Sequence, residues 1–232
     1  MLEAIGVSEC GPIRSSNEDS IYLNPEVGLF IVADGMGGLE RGKEVSAAAA
    51  ELFATCCLGK PYIDSGQMVD CLEKTNYQLY EETHIRQSEG GTTFTAVYIN
   101  NSSCKYVHIG DSRLYHFEAV RNRLQQKTFD HTLAAELERG GTSAQATQQF
   151  RHILTRSLGT SNQIESTQGD FRTVGGDLLL LCSDGFWQVV DAEELANYFA
   201  KISALDEIAN NLKKKALSRN PRDNFSFIIV KT

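Results

Sequence analysis

Short apolar runs that stop on an aspartate constrain this chain more than any other feature. Leu29-Phe30-Ile31-Val32-Ala33 runs into Asp34-Gly35, and Leu179-Leu180-Leu181-Cys182 runs through Ser183 into Asp184-Gly185. Tyr106-Val107-His108-Ile109-Gly110 runs into Asp111. Asp223-Asn224 and Glu18-Asp19 stand just before the runs Phe225–Val230 and Ser20–Leu23. Runs this short read as strands. A carboxylate beside a buried strand is costly unless something compensates it. Taken alone, Asp-Gly is ordinary turn chemistry, but here it ends an apolar run instead of joining two hairpin strands of similar length. If the strand ends converge, several carboxylates meet. Two unit charges ~4 Å apart repel by about 4 kcal/mol at an effective dielectric of about 20. Such a cluster calls for cations, and oxygen ligands favour the hard ions Mg2+ and Mn2+ over zinc. His84, His108, His116, His131 and His152 show no zinc-ligand spacing.

The order of elements sets the fold class. Further strands are expected at Phe94–Ile99, Lys105–Ile109, Leu114–Phe117 and Asp177–Cys182. Helices are expected over Glu44–Leu58, from Gln67 to about Arg86, from an N-cap at Asp191, and after Ser203. Strands and paired helices in this order do not alternate as a doubly wound fold does. They fit an α+β chain, a central antiparallel β-sandwich flanked by helix pairs in α-β-β-α layers. The segment 130–173, with Gly140-Gly141 and a Gln-rich stretch, reads as a mobile surface excursion. The length of 232 residues suits a single domain over 1–232.

Charge and cysteines narrow the function classes. Lys plus Arg is 22 and Asp plus Glu is 30, giving a net charge of −8, opposite in sign to a nucleic-acid binder. Cys10, Cys56, Cys57, Cys71, Cys104 and Cys182 have no C-x-x-C spacing and read as reduced thiols. The first residues lack a basic stretch followed by a long apolar one, and the longest compact apolar run, Leu178–Cys182, is too short to span a bilayer. The expectation is a cytoplasmic protein with no membrane and no nucleic-acid partner.

In chain order stand Arg14-Ser15-Ser16-Asn17-Glu18-Asp19, Asp34-Gly35-Met36-Gly37-Gly38, Gly110-Asp111-Ser112-Arg113, Asp130-His131-Thr132, Thr155-Arg156-Ser157-Leu158-Gly159, Ser183-Asp184-Gly185 and Asp223-Asn224. Together they resemble the metal-dependent protein serine/threonine phosphatases of type 2C (the PPM family), in their compact bacterial form. The resemblance implies a binuclear Mn2+ or Mg2+ centre, with Asp34 bridging the two ions. Asp184 and Asp223 would complete the set of ligands around the first ion. The Gly35 carbonyl would bind the second ion, with Glu18 and Asp19 holding its waters. Asp111 would serve a third, weaker ion. Arg14 would grip the substrate phosphate, and Asn224 would orient Asp223 or a metal-bound water. The implied partners are phosphorylated proteins made by a Ser/Thr kinase, and the implied state is a monomer.

A water readied by two divalent ions needs no protein nucleophile, and neither a Cys-x5-Arg loop nor a D-x-D-x-T/V motif is present. The chain departs from the family pattern at two points. Met36 stands where family members outside bacteria often carry a histidine proton donor, which leaves His131 or His152 as candidates. Phe186-Trp187-Gln188 replaces the usual Leu-Thr/Ser-Asp/Asn, and Trp187 is expected to pack in the core more than line the groove. The family's substrate flap maps to 130–173. Two rivals remain. Gly37-Gly38-Leu39-Glu40-Arg41-Gly42-Lys43-Glu44 nearly matches a nucleotide phosphate loop, with Glu44 where a hydroxyl belongs. A phosphoprotein-binding module without activity would be expected to have lost a metal acid or Arg14.

Overall fold

The computed structural model describes residues 2–37, 40–58, 60, 63–85, 90–201 and 204–232. The strands are β1 (Glu3–Glu9), β2 (Asp19–Asn24), β3 (Leu29–Met36), β4 (Gly91–Thr92), β5 (Phe94–Asn100), β6 (Ser103–Ile109), β7 (Arg113–Glu118), β8 (Arg123–Gln126), β9 (Thr167–Arg172), β10 (Leu178–Cys182) and β11 (Phe225–Lys231). The helices are α1 (Glu40–Leu58), α2 (Ser65–Ile85), α3 (Leu133–Arg139), α4 (Ala144–Thr147), α5 (Asp184–Trp187), α6 (Ala192–Lys201) and α7 (Leu205–Ser218). One antiparallel sheet runs β1-β11-β10-β7-β8, and the other runs β2-β3-β5-β6-β9 with β4 paired to β3.

The apolar runs are continuous because the central strands are buried on both faces. Period-two alternation splits each strand between two cores. Phe30, Val32, Leu179, Leu181, Ile228 and Val230 meet between the sheets. Leu29, Ile31 and Ala33 face outward onto α1 and α2. Leu178, Leu180, Cys182, Phe225, Phe227 and Ile229 face outward onto α6 and α7. The α-β-β-α sandwich expected from the sequence is the architecture found. Asp191 caps α6 as expected, its Oδ1 accepting from the Glu194 N–H at 2.9 Å. Arg86, Ser203 and the Gly38-Leu39 pair lie outside the described residues.

Several elements differ from expectation. β1 and β9 lie at sheet edges, and β9 alternates half-buried with exposed residues, so neither carries an apolar run. β9 also ends the segment 130–173, which is therefore not one loose excursion. Its earlier part holds α3 and α4 and is tied back by bridges Thr132↔Leu154 and Thr92↔Leu158. The cysteine reading is overturned at one pair. Cys56 of α1 and Cys71 of α2 form a disulfide, with Cα atoms 5.7 Å apart, while Cys10, Cys57, Cys104 and Cys182 stay free. Two helices packed side by side bring these cysteines together, which no short-range Cys spacing announces.

Candidate metal centre

The strand-end acids gather at one end of the sandwich. Asp19 opens β2 and Asp34 lies near the end of β3, and the antiparallel register sets the two directly opposite one another. Asp111 lies in the turn from β6 to β7, Asp184 is the first residue of α5 after β10, and Asp223 immediately precedes Asn224 and β11. Asp34, Asp111, Asp184, Asp223, Glu18, Gly35, Asn224 and Arg14 line one cavity of about 410 Å3. Asp19 lies buried behind it.

The local frame is built from small polar groups. Ser183 Oγ donates to Asp19 Oδ2 at 2.8 Å and accepts from the Ser226 N–H at 2.9 Å. Thr93 Oγ1 accepts from the Asp34 N–H at 3.0 Å, and the Thr93 N–H donates to the Asp34 carbonyl at 2.9 Å. Asn224 Nδ2 donates to the carbonyls of Cys10 (2.8 Å) and Ser16 (2.9 Å), while its Oδ1 accepts from the Glu18 N–H at 2.9 Å. Asn224 thus pins the Arg14–Glu18 loop to β11. Gly35 is wedged between Gly42 of α1 and the Glu18 carbonyl, where a Cβ would collide with backbone.

The electrostatics follow from crowding and dryness. Loss of water pushes the Asp19 carboxyl up to about 7, and the neighbouring Asp184 and Asp223 add to the rise. Asp34 and Asp111 are held well above the carboxylate range, first by burial and then by like charge, Asp19 and Asp184 for the former, Asp184 and Asp130 for the latter. Asp184 is raised by burial and by Asp223, against the opposing effect of a hydrogen bond shared with Asp34. Arg14 answers one charge: Nη2 lies 2.6 Å from Asp223 Oδ2. Asp19 Oδ1 is buried with no hydrogen-bond partner. An orphaned carboxylate oxygen amid raised acids fits a site for hard cations. Among the described residues no three His, Cys, Asp or Glu side chains already form a closed ligand set. The acids share one cavity.

The histidine candidates separate. His131 is buried and does not line the cavity; its Nδ1 accepts from the Gly110 N–H at 3.2 Å and its Nε2 lies 2.9 Å from Thr167 Oγ1. Burial lowers it to about 3. A ring with both nitrogens engaged inside the protein is poorly placed to protonate a leaving group, which corrects that expectation. His152 and Leu154 do line the cavity. Trp187 is half-buried beneath the site, with Nε1 donating to the Asp111 carbonyl at 2.9 Å and Arg113 lying 3.5 Å over its ring. Arg113 in turn makes a two-pronged contact with Asp130, at 2.9 and 2.7 Å. This Asp130–Arg113–Trp187 chain and the Ser183–Asp19 contact were missed from sequence; only the co-occurrence of the Asp130 and Arg113 motifs hinted at the first. The phosphate-loop reading fails on geometry. Gly42 and Lys43 lie within α1, and Gly42 is packed onto Gly35 and Glu18 with no room for a phosphate.

Fold and acid cluster agree with the comparison of whole sequences: the chain belongs to the protein phosphatase 2C family, whose model matches residues 6–225. It is a metal-dependent protein serine/threonine phosphatase, and its substrates are phosphorylated proteins. Among curated relatives it is similar to the serine/threonine phosphatase stp of Listeria welshimeri, 31% identical over 235 residues that cover 95% of this chain and 92% of that protein. Among solved structures it is similar to the serine/threonine phosphatase of S. agalactiae (TM-score 0.90, 26% identity, covering 100% of both chains). The catalytic domain of PstP in complex with two manganese ions is likewise similar (TM-score 0.87, 28% identity, 99% of this chain and 97% of that one).

Proposed function

We propose that this single catalytic domain hydrolyses phosphoserine and phosphothreonine at the strand-end cavity, with Asp34, Asp184 and Asp223 holding one divalent ion. Asp34 and the Gly35 carbonyl hold a second, aided by Glu18 and Asp19, and Asp111 serves a weaker third. The register that sets Asp19 against Asp34, with a buried Asp19 oxygen left unpartnered, is the observation that carries this reading. Bound there, a pair of Mn2+ or Mg2+ ions offsets phosphate charge and acidifies water for attack on phosphorus. PstP, which binds two manganese ions, supports that count.

The remaining work falls to the chain's own groups. Arg14, half-exposed at the cavity mouth, turns its planar fork from Asp223 to the incoming phosphate oxygens. Asn224 keeps the Arg14–Glu18 loop docked. His152, on the flap side of the cavity, replaces His131 as the group that delivers a proton to the departing serine or threonine oxygen. The part of 130–173 ahead of β9 acts as the substrate flap. The enzyme works as a cytoplasmic monomer opposite a Ser/Thr kinase.

The test is hydrolysis of p-nitrophenyl phosphate and of a phosphothreonine peptide. Both are expected to require Mn2+ or Mg2+ and to stop with EDTA. His152→Ala is expected to slow the phosphothreonine peptide, whose departing oxygen needs a proton, far more than p-nitrophenyl phosphate, whose leaving group does not. Turnover that ignores chelation would sink the metal reading, and an equal effect on both substrates would remove His152.

A further inference from the structure

The Cys56–Cys71 disulfide joins two helices that cover one sheet, and nothing in the phosphatase chemistry uses it. Its two sulfurs are not equally reachable. Cys56 is half-buried and lines a groove of about 690 Å3 between the helices, together with Leu52, Lys74 and Tyr77, whereas Cys71 is fully enclosed. A thiol arriving from solvent meets the Cys56 sulfur first. The adjacent Cys57 is no competitor, since burial pushes its thiol up to about 12 and keeps it from forming thiolate.

The bridge also lies on the helix that backs the metal cavity. Ser46 of α1 donates to the Glu18 carbonyl at 2.6 Å and lies 2.9 Å from the Ser20 hydroxyl. One turn earlier, Gly42 is pressed against Gly35. Glu18 and Gly35 are thus held from behind by the first part of α1, and further along the same helix the disulfide ties α1 to its neighbour α2.

We propose that Cys56–Cys71 is a redox-reversible staple, opened by a dithiol at Cys56, whose opening loosens the Glu18 side of the metal cavity. One reductant thiolate bonds to Cys56 Sγ while the Cys56–Cys71 bond breaks and Cys71 leaves as thiolate, taking up a proton. The second reductant thiol then displaces Cys56. The protein gains two electrons and two protons, and the reductant becomes its own disulfide. The link to metal binding rests on the reading of the cavity given above; the staple does not.

The experiment uses the full chain equilibrated with glutathione disulfide or with dithiothreitol. Peptide mapping without reduction is expected to show the Cys56 and Cys71 peptides joined, and separate after dithiothreitol. With EDTA present, reduction is expected to lower Tm by on the order of 5–10 °C, because the bridge closes a loop with a sequence separation of 15. Mn2+ affinity by calorimetry is expected to weaken several-fold. Cys56→Ser is expected to match the reduced protein and to ignore dithiothreitol. Free alkylation of both cysteines in the oxidised folded protein, or an unchanged Tm, overturns the staple. A lower Tm with unchanged Mn2+ affinity overturns the coupling to the cavity. Absence of Mn2+ binding in both states counts against the metal reading and against the coupling, while mass and Tm still judge the staple.

Discussion

Strand β10 has an aspartate near each end, Asp177 buried and Asp184 half-buried, and the two live in different surroundings. Asp177, just before the strand, is fully answered: Oδ1 accepts from the Ala119 N–H at 3.0 Å, and Oδ2 accepts from the Val174 N–H at 3.1 Å and lies 2.8 Å from His116 Nε2. Asp184, just after the strand, has one side-chain donor, Gln188 Nε2 at 2.8 Å, and otherwise faces the acids Asp34, Asp223 and Asp111. The first acid is held by donors and stabilises the sandwich. The second is crowded by like charge and raises the cost of the folded state until cations arrive. Burial alone does not mark a functional acid; what surrounds it does.

The sharpest way to break this contrast is to remove one acid from each group. Asp34→Ala or Asp184→Ala is expected to cut kcat by roughly a thousandfold or more at saturating Mn2+, about 4 kcal/mol of barrier, while leaving the apo protein as stable or more so. Wild-type turnover would dissolve the distinction. Asp177→Ala is expected to do the reverse, costing about 3–5 kcal/mol in urea unfolding by stranding its donors, with kcat of the folded fraction near wild type.

The pH dependence of stability sharpens the same point. Folded Asp19 titrates at about 7 against 3.8 ordinarily, and Asp34, Asp111 and Asp184 shift the same way. Between those values these four acids hold more protons in the folded metal-free chain than in the unfolded one, so their contribution to stability falls as pH rises through the window. His108 and His131, lowered by burial to about 4 and about 3, offset part of it. Scanning Tm in EDTA is expected to show a decline from about pH 4 to about pH 7, and saturating Mn2+ is expected to flatten it. A rise with pH in EDTA would contradict the crowding. The smallest effect is at the rim: Arg14→Ala is expected to raise KM by about tenfold with little change in kcat, since the arginine binds phosphate in the ground state too. An unchanged KM would take Arg14 out of the substrate site.

Much of this was legible in the sequence because strands buried on both faces need uninterrupted apolar runs, and acids ending them stand out. Leu29–Ala33 and Leu179–Cys182 carried both the sandwich and its acidic end. The polar edge strand β9 was hidden because half its residues face water and carry no pattern. His131 and His152 looked equivalent as letters; only packing shows that one ring is sealed inside and the other meets the cavity. Cys56 and Cys71 were unreadable as a pair because their meeting depends on how α1 lies against α2. Trp187, expected in the core, packs against it while only half-buried and also donates to the Asp111 carbonyl.

Strand β11 lies inside its sheet, hydrogen-bonded to the edge strand β1 on one side and β10 on the other, and it follows directly on Asp223 and Asn224. Losing this one strand would open a gap within that layer, free the Arg14–Glu18 loop that Asn224 anchors, and take Asp223 away from the other clustered acids, so a local fraying here disturbs sheet, loop and acid cluster together.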